Sequence, residues 1–533
     1  MLRERYLRIY DLHSWSGVVL GLFIFVVSLT GCFALFDHEI KTWEDQNLRA
    51  ELPANPTPIH DTFTAWVKQT AGENKVQFAT MIFPSNYEPY YHGLLQFRDA
   101  DNARVFEHEK WHASSGEMLP HREGGLSEWL LDFHRDLMWP ESLGGRQVGR
   151  AIVGIAGIVL MISILSGIIA HTKIVREFFT LRFQNTIRLK WTDTHKVLGL
   201  WVMPFYTMIA FTGAFLGIIV IMSPIIAALS FKGDTEALID AVIGPPTEPR
   251  GVMAQMLSID EVRALQNPGN GEFPYSVVSE NWGDEAAEYR IFYPVQKELG
   301  RFELRTISGV SGELIKSEPI NELSSGNRVS ASIAPLHYGT YGGFWLKVLY
   351  FILGLSLCVV TATGLMMWIE RRLHGKEGNR SQQFYQRLGK LVIGVTLGLP
   401  VATASIFYLD KLYTGIEDSR LWWTGTSYFL VWLACILFSM VARIGEYKLV
   451  KGLFLLNALL FIGIPVMHWQ VVPGSFSTGT MMPWMAVDVA LLIFGLCLLV
   501  LAQFLPKHRI QPERNRPKKA RQIGDQPVSA GGI

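Results

Sequence analysis

The sequence predicts a mainly α-helical membrane protein with eight transmembrane helices and two small α+β modules outside the membrane. Three observations lead to this fold class. First, 49% of the 533 residues are apolar and only 18% are charged, whereas soluble domains carry about 25% charged residues. Second, eight apolar runs poor in charge approach or exceed the roughly 20 residues that a bilayer-crossing helix needs. Third, a unit of span, external module and span occurs twice. The eight runs are residues 14–36, 151–170, 197–222, 348–369, 391–409, 421–442, 452–467 and 489–505.

The charge balance and the cysteines exclude several other classes of protein. The chain has 48 basic and 47 acidic residues, so it lacks the excess of positive charge that a general nucleic-acid binder needs. Its four cysteines are scattered through apolar runs and form no C-x-x-C pair. This pattern supports neither a zinc knuckle nor an iron–sulfur cluster. The expected surroundings are a lipid bilayer, with no nucleic-acid partner.

Basic residues predict the orientation of the spans. Lysine and arginine favour the cytoplasmic side in short loops that flank transmembrane helices. Basic clusters precede the first span, join the second to the third, follow the fourth, join the sixth to the seventh and continue in the C-terminal tail. Eight spans with both termini in the cytoplasm place every cluster on that side. Two domain-sized segments then lie outside the membrane.

Each external segment contains a predicted β-hairpin. Residues 105–111 precede a turn at Gly116-Glu117, and residues 305–310 precede a turn at Gly312-Glu313. Short alternating strands joined by glycine-containing turns are typical of hairpins. The predicted organisation is residues 1–36 (N-terminus and first span), 37–149 (first module), 150–222 (spans two and three with a basic loop), 223–344 (second module), 345–372 (fourth span), 373–505 (four further spans) and 506–533 (basic tail).

An internal repeat carries histidines at equivalent positions. His13 in the first span and His195 in the third each precede a Thr-Gly pair by 17 residues. His134 and His337 precede the second and fourth spans, which contain the pairs Ser166-Gly167 and Thr363-Gly364. Small residues inside spans let helices approach closely, so we interpret these pairs as helix-packing sites.

The four histidines form two predicted pairs, one at each face of the membrane. His13 and His195 lie at the cytoplasmic boundary, whereas His134 and His337 lie at the external boundary. Ionisable groups at such depths are costly and are often functional. No cysteine or carboxylate cluster recurs beside them, so zinc or di-iron fits poorly, while haem b with two axial histidines fits a helix bundle well. His171, which ends the second span, is a third candidate for the cytoplasmic site, either as a ligand or as a propionate contact.

Four sequence runs carry a likeness to a known family: Asp11-Leu12-His13-Ser14-Trp15-Ser16-Gly17, Phe133-His134-Arg135-Asp136-Leu137, Trp191-Thr192-Asp193-Thr194-His195 and Pro335-Leu336-His337-Tyr338-Gly339-Thr340-Tyr341-Gly342-Gly343. In this order they resemble the bacterial PepSY-associated transmembrane-helix proteins over about residues 3–372. The stretches around Gly116-Glu117 and Gly312-Glu313 look like PepSY modules. The resemblance implies a di-haem inner-membrane reductase linked to siderophore-iron uptake. In that family, histidines of a four-helix core hold one haem near each face, which favours His13 with His195 inside and His134 with His337 outside.

The expected function is electron transfer across the membrane to a ferric siderophore or another ferric chelate. No G-x-G-x-x-G motif follows a strand, so we expect an external cytoplasmic donor or a quinol to supply electrons. The alternative is a non-enzymatic PepSY membrane protein that binds a periplasmic peptide or protease. A transporter is less favoured because charged residues are missing inside the spans, with Asp488 only at a helix end. The last four spans have no counterpart in minimal family members, and His468 among them is expected to be an interfacial anchor.

The segment before the second span also predicts a helix. Trp129, Leu130, Phe133 and Leu137 recur at helical spacing. We expect an amphipathic helix at the membrane surface that lays His134 against the bilayer.

Overall fold

The computed structural model describes residues 3–505 apart from short gaps. The gaps are 50, 86, 121–124, 172–173, 175–177, 180–186, 235–236, 239–246, 270, 296–298, 300–301, 320–321, 323–324, 374–378, 413–418 and 472–482. The helices are α1 Arg3–Ala34, α2 Asp37–Glu44, α3 His60–Ala71, α4 Leu126–Asp136, α5 Gly145–Ala170, α6 Ile187–Trp201, α7 Met203–Ser230, α8 Ile259–Arg263, α9 Ser325–Tyr338, α10 Gly343–Leu373, α11 Asn379–Leu412, α12 Arg420–Val441, α13 Glu446–Val471 and α14 Pro483–Phe504. The strands are β1 Val76–Ile82, β2 Tyr90–Arg98, β3 Arg104–His112, β4 Ser276–Glu280, β5 Glu288–Pro294, β6 Phe302–Ser308 and β7 Leu314–Glu318.

Within the described residues, seven helices are long and apolar enough to cross a membrane: α1, α5 and α10–α14. The third predicted span, residues 197–222, is bent. Its two parts, α6 and α7, meet at Val202 with an angle of 70° between Leu189–Trp201 and Met203–Ile219. Pro204 lies in the first turn of α7, where it has no N–H to donate to the preceding turn. The count is eight if this bent pair is one span. The predicted basic tail, residues 506–533, lies outside the described residues.

The helices form two groups that share an interface. In the first group, α1 packs against α5 and α10, α5 against α7, and α6 against α10. In the second group, α11 packs against α12 and α13, and α13 against α14. Contacts of α11 with α1 and α10 join the two groups, and one apolar core cluster runs through both of them.

The strands form one antiparallel sheet on the side of the bundle where α1 ends. Its order is β3-β2-β1-β4-β5-β6-β7, so the two external segments share one sheet and are not separate modules. They join where β1 pairs with β4, from Phe78 opposite Glu280 to Ile82 opposite Ser276. This pairing removes an exposed strand edge from each half. One hydrophobic core, containing Phe63, Met81 and Val277, combines residues of both halves.

The predicted turns are confirmed in both halves of the sheet. After β3, the amide of Gly116 donates to the carbonyl of His112 at 2.9 Å; after β6, Gly312 donates to Ser308 at 3.0 Å. The two glycines have φ values of 72° and 74°, in the left-handed region that other residues adopt only at a cost. The β6–β7 hairpin is also confirmed.

The helix predicted around Trp129 exists as α4, but its apolar face is covered by protein. Trp129 and Leu130 are buried, at 0% and 1% exposure. Their apolar face packs inside the protein, and α4 contacts α1, α2, α5 and α12. The expectation that this apolar face rests against the bilayer was therefore wrong, because the sequence pattern does not distinguish lipid from a neighbouring helix.

Candidate functional site

The four repeated histidines form two ring pairs at opposite ends of the first helix group. His13 on α1 and His195 on α6 have ring centroids 6.1 Å apart, with an angle of 66° between the ring planes. His134 on α4 and His337 on α9 have centroids 6.3 Å apart, with an angle of 19°. The first pair lies near the start of α1, and the second lies near its end, on the side of the sheet. The structure thus brings together the same residues that the repeat pairs.

Hydrogen bonds to backbone carbonyls fix the orientation of three of the rings. Each bond joins the Nδ1 atom to a carbonyl oxygen on a neighbouring helix. A carbonyl only accepts, so Nδ1 carries the hydrogen and Nε2 keeps its lone pair. This tautomer is the one that binds metal through Nε2. The bonds are His13 to Ser163 at 2.8 Å, His134 to Val27 at 3.0 Å and His195 to Val360 at 2.9 Å.

The fourth ring reaches the same tautomer through a hydroxyl group. His337 Nδ1 lies 2.9 Å from Thr212 Oγ1. That hydroxyl also lies 2.8 Å from the carbonyl oxygen of Met208, to which it donates its single hydrogen. Thr212 Oγ1 is therefore the acceptor for Nδ1–H, and Nε2 of His337 is again unprotonated.

Each ring packs against the glycine of one repeated small-residue pair. A Cβ atom at any of these glycines would come within 3.0 Å of the imidazole Cε1, closer than ordinary contact. For His13, His134 and His195, the carbonyl group that accepts the hydrogen bond belongs to the residue four positions before the glycine that the ring contacts. The interpretation of these pairs as helix-packing sites was thus incomplete, since the glycines make room for the rings. The contacts are Gly167 with His13 at 2.9 Å, Gly31 with His134 at 2.7 Å, Gly364 with His195 at 3.0 Å and Gly213 with His337 at 3.0 Å.

The ring separations suit one metal ion between each pair. A metal–imidazole bond is about 2.0–2.1 Å, and the ring centre lies about 1.2 Å beyond the nitrogen, so two imidazoles on opposite sides of one ion have centres about 6.4 Å apart. The observed 6.1 Å and 6.3 Å are close to this value. Among the described residues, no group of three or more His, Cys, Asp or Glu side chains could hold a metal. Two imidazoles alone suit a metal whose other ligands come from a planar cofactor.

His171 is the residue that follows α5, one helical turn beyond Gly167. Its side chain is half-buried. The ring partner of His13 is His195, and a role for His171 at this end of the bundle stays a prediction.

Buried charges next to His134 tie α4 to α5, and the sequence patterns did not reveal them. Asp132 and Asp136 are 2% and 1% exposed. Arg135 pairs with Asp132 from the same helix, and Arg146 of α5 lies 2.6 Å from the other oxygen of Asp132. The sequence shows the charged residues in Phe133-His134-Arg135-Asp136. It does not show that an arginine of α5 pairs with the acidic residues of α4.

His468 is not the interfacial anchor that was expected. It is completely buried, and its Nδ1 lies 2.7 Å from Asp488 Oδ2. Its Nε2 lies 3.2 Å from the guanidinium of Arg49, while Trp43 donates to Asp488 at 2.8 Å. Asp488 is therefore a buried network residue, 1% exposed. Because both ring nitrogens are engaged by protein groups, His468 is no metal ligand in this structure.

These features define a multi-pass helical membrane protein with paired imidazoles at both ends of one helix group and a β-sheet on one side. A family model for the PepSY-associated transmembrane region matches residues 10–371, and the chain belongs to this family. It is similar to an uncharacterised protein of Pseudomonas aeruginosa, with 25% identity over 389 residues that cover 69% of this chain and 92% of that protein. The family match ends before α11, so α11–α14 lie beyond it.

Proposed function

We propose that this protein is a di-haem b protein of the bacterial inner membrane that reduces a periplasmic ferric siderophore or another ferric chelate during iron uptake. The observation that carries the proposal is the pair of imidazoles at each end of the bundle, with ring centroids 6.1 Å and 6.3 Å apart. His13 with His195 would hold the inner haem, and His134 with His337 the outer haem. We place the sheet in the periplasm and both termini in the cytoplasm, in accord with the basic clusters.

Haem, when bound, supplies one-electron exchange between ferric and ferrous iron. The protein groups orient the ligands for it. The carbonyls of Ser163, Val27 and Val360 hold their rings so that Nε2 can bind the metal. On α1, His13 and Gly31 are 18 residues apart, which separates the two ring levels by about 27 Å. Two haems would therefore divide the path of an electron across a hydrocarbon layer of about 30 Å into shorter steps. One haem alone would not carry an electron across this layer.

Reduction also provides a way to release the iron. One electron passed outward converts one ferric ion to a ferrous ion. Ferrous iron binds hard oxygen ligands less strongly, so it leaves a chelate that remains intact. We propose that the electrons come from a cytoplasmic donor or from a quinol.

An acceptor panel tests the reaction. Protein reduced with a limiting amount of dithionite is mixed with ferric chelates in stopped flow, and haem oxidation is followed by absorbance. We expect oxidation to accelerate with a ferric chelate and not with its gallium analogue, which cannot accept the electron. Equal rates with both metals, or no oxidation across the panel, would contradict reduction of ferric chelates. The protein would then be a transmembrane cytochrome that passes electrons to another acceptor. A colourless protein purified under haem-replete conditions would instead favour the non-enzymatic, peptide-binding alternative.

The inner ligands are tested separately. Replacing His13 with Ala should abolish the inner haem, whereas replacing His171 should leave two haems per chain. The opposite result would assign an inner axial position to His171. Haem content and low-temperature difference spectra provide the measurement.

A further inference from the structure

The start of α4, the helix that carries His134, is held by a carboxylate from α2. Glu44 is 5% exposed. Its Oε2 accepts from the backbone amides of Leu126 and Ser127, at 2.5 Å and 3.3 Å, and its Oε1 accepts from Ser127 Oγ at 2.7 Å. A carboxylate at a helix N-terminus pairs with unsatisfied N–H groups and with the positive end of the helix dipole. Gly125 leaves room for the carboxylate in this position, because a Cβ atom here would force the Glu44 carboxylate to move.

Charged residues of the C-terminal helices surround the same carboxylate. Asp410, at 6% exposure, forms buried ion pairs with Arg420 and Lys411. Lys411 also donates to the backbone carbonyl of Glu44 at 3.1 Å. Burial and the negative charge of Asp410 raise the pKa of Glu44 to about 7, against the opposing effect of its hydrogen bonds and of Arg420. Glu44 therefore exchanges its proton near neutral pH.

A second contact joins the C-terminal helices to α4. Tyr428 of α12 has its ring centroid 4.3 Å from that of Trp129 and 5.6 Å from that of Phe133. Gly425, one turn earlier on α12, lies under the indole, since a Cβ there would be 2.7 Å from Trp129 Nε1. The α12 surface thus covers the face of α4 immediately before His134.

We propose that Glu44 of α2, together with α11 and α12, forms a proton-responsive clamp on α4, in which Glu44 is the positioning residue for His134. The inference rests on the proposed function for its effect on the outer haem. Ionised Glu44 accepts three hydrogen bonds at the start of α4, whereas protonation weakens them and loosens the first turn. The carboxylate charge also disfavours an added electron nearby. The reduction potential of the outer haem should consequently fall as pH rises through the titration of Glu44.

The test compares wild-type protein with Glu44→Gln and uses Glu39→Gln as the matched control. Glu39 lies on the same helix and is also buried, but it pairs with Lys347 of α10 at 2.9 Å. The first readout is the outer-haem potential from pH 6 to 8. The second is hydrogen exchange of the α4 amides in protein prepared without haem, corrected for the intrinsic rate at each pH.

We expect the wild type and Glu39→Gln to show a potential that falls with pH, and Glu44→Gln to show a higher potential without this slope. In haem-free protein, exchange at Leu126 and Ser127 should be about tenfold faster at pH 6 than at pH 8, the factor for about one lost hydrogen bond. Glu44→Gln should exchange fast at both values. Equal exchange and equal slopes in wild type and Glu44→Gln would overturn the clamp.

Two further comparisons keep this test independent of folding and of the proposed function. If Glu44→Gln does not fold, Glu44→Asp retains the charge on a shorter side chain and should restore the pH dependence with faster α4 exchange. Loss of the pH dependence in Glu44→Asp would also count against the clamp. Absence of haem from the wild type would refute the proposed function alone, because the exchange measurement uses haem-free protein.

Discussion

Replacing Gly31 with alanine should remove the outer haem and leave the inner one. A Cβ atom at this position would lie 2.7 Å from His134 Cε1 and 3.1 Å from Nδ1. Carbon atoms prefer separations of about 3.5–4.0 Å, so the imidazole must retreat by about 1 Å or α1 must shift. Either movement weakens the 3.0 Å bond from His134 Nδ1 to Val27 and changes the 6.3 Å spacing between the His134 and His337 rings.

The magnitude follows from two contributions. A lost hydrogen bond costs about 0.5–1.5 kcal/mol, and overpacking of a filled site costs about 1–3 kcal/mol. Together they amount to about 1.5–4.5 kcal/mol, which weakens outer-haem binding by about ten- to two-thousand-fold. The matched control is Gly17→Ala on the same helix, where a Cβ would meet nothing within 4 Å. That change should favour the helix by about 0.5–1 kcal/mol.

The assay is haem content per chain together with a redox titration. Gly31→Ala should retain one haem with the potential of the inner centre, while Gly17→Ala should retain two. Two haems with unchanged potentials in Gly31→Ala would refute the role assigned to the glycines.

Three further predictions follow from the site and its supports. His337→Ala should remove only the outer centre and His195→Ala only the inner one, as difference spectra will show; loss of both centres in either variant would contradict independent sites. Asp410→Asn leaves Arg420 buried without its counter-charge and should destabilise the protein by about 3–5 kcal/mol; unchanged thermal unfolding would mean that the pair is dispensable. The pKa of Glu44 is raised from 4.5 to about 7 in the folded protein, so the native state binds more protons than the unfolded state between these values. For global unfolding, which moves the buried carboxyl into water, its contribution to stability is present below about pH 4.5 and is lost as pH rises through about 7. Local opening of the first turn of α4 is a different step, in which only the hydrogen bonds to the ionised carboxylate are lost. Unfolding midpoints of wild type and Glu44→Gln that vary identically with pH would oppose the global effect.

The repeat in the sequence was sufficient to predict the histidine pairs. His13 and His195 share their spacing to a Thr-Gly pair, and this equivalence is visible without coordinates. The function of Gly31 and its counterparts was not visible. A glycine in an apolar span is compatible with close helix contact or with a ring from a distant segment, and only the fold brings His134 to it.

Long-range pairing explains the other differences. The sequence predicts hairpins from local alternation, but the β1–β4 contact joins strands that lie far apart in the chain. The same holds for Glu44, which caps α4 and interacts electrostatically with Asp410, a residue that lies beyond the family match. Buried charges such as Asp488 look like helix-end residues until their partners are known.

Haem analysis of purified, haem-replete protein tests the central claim most directly. The measurement combines haem content per chain with reduced-minus-oxidised and electron paramagnetic resonance spectra. Paired imidazoles at both ends of the bundle predict two b-type haems per chain, each low-spin with two histidine ligands. A well-folded protein that binds no haem would contradict the account.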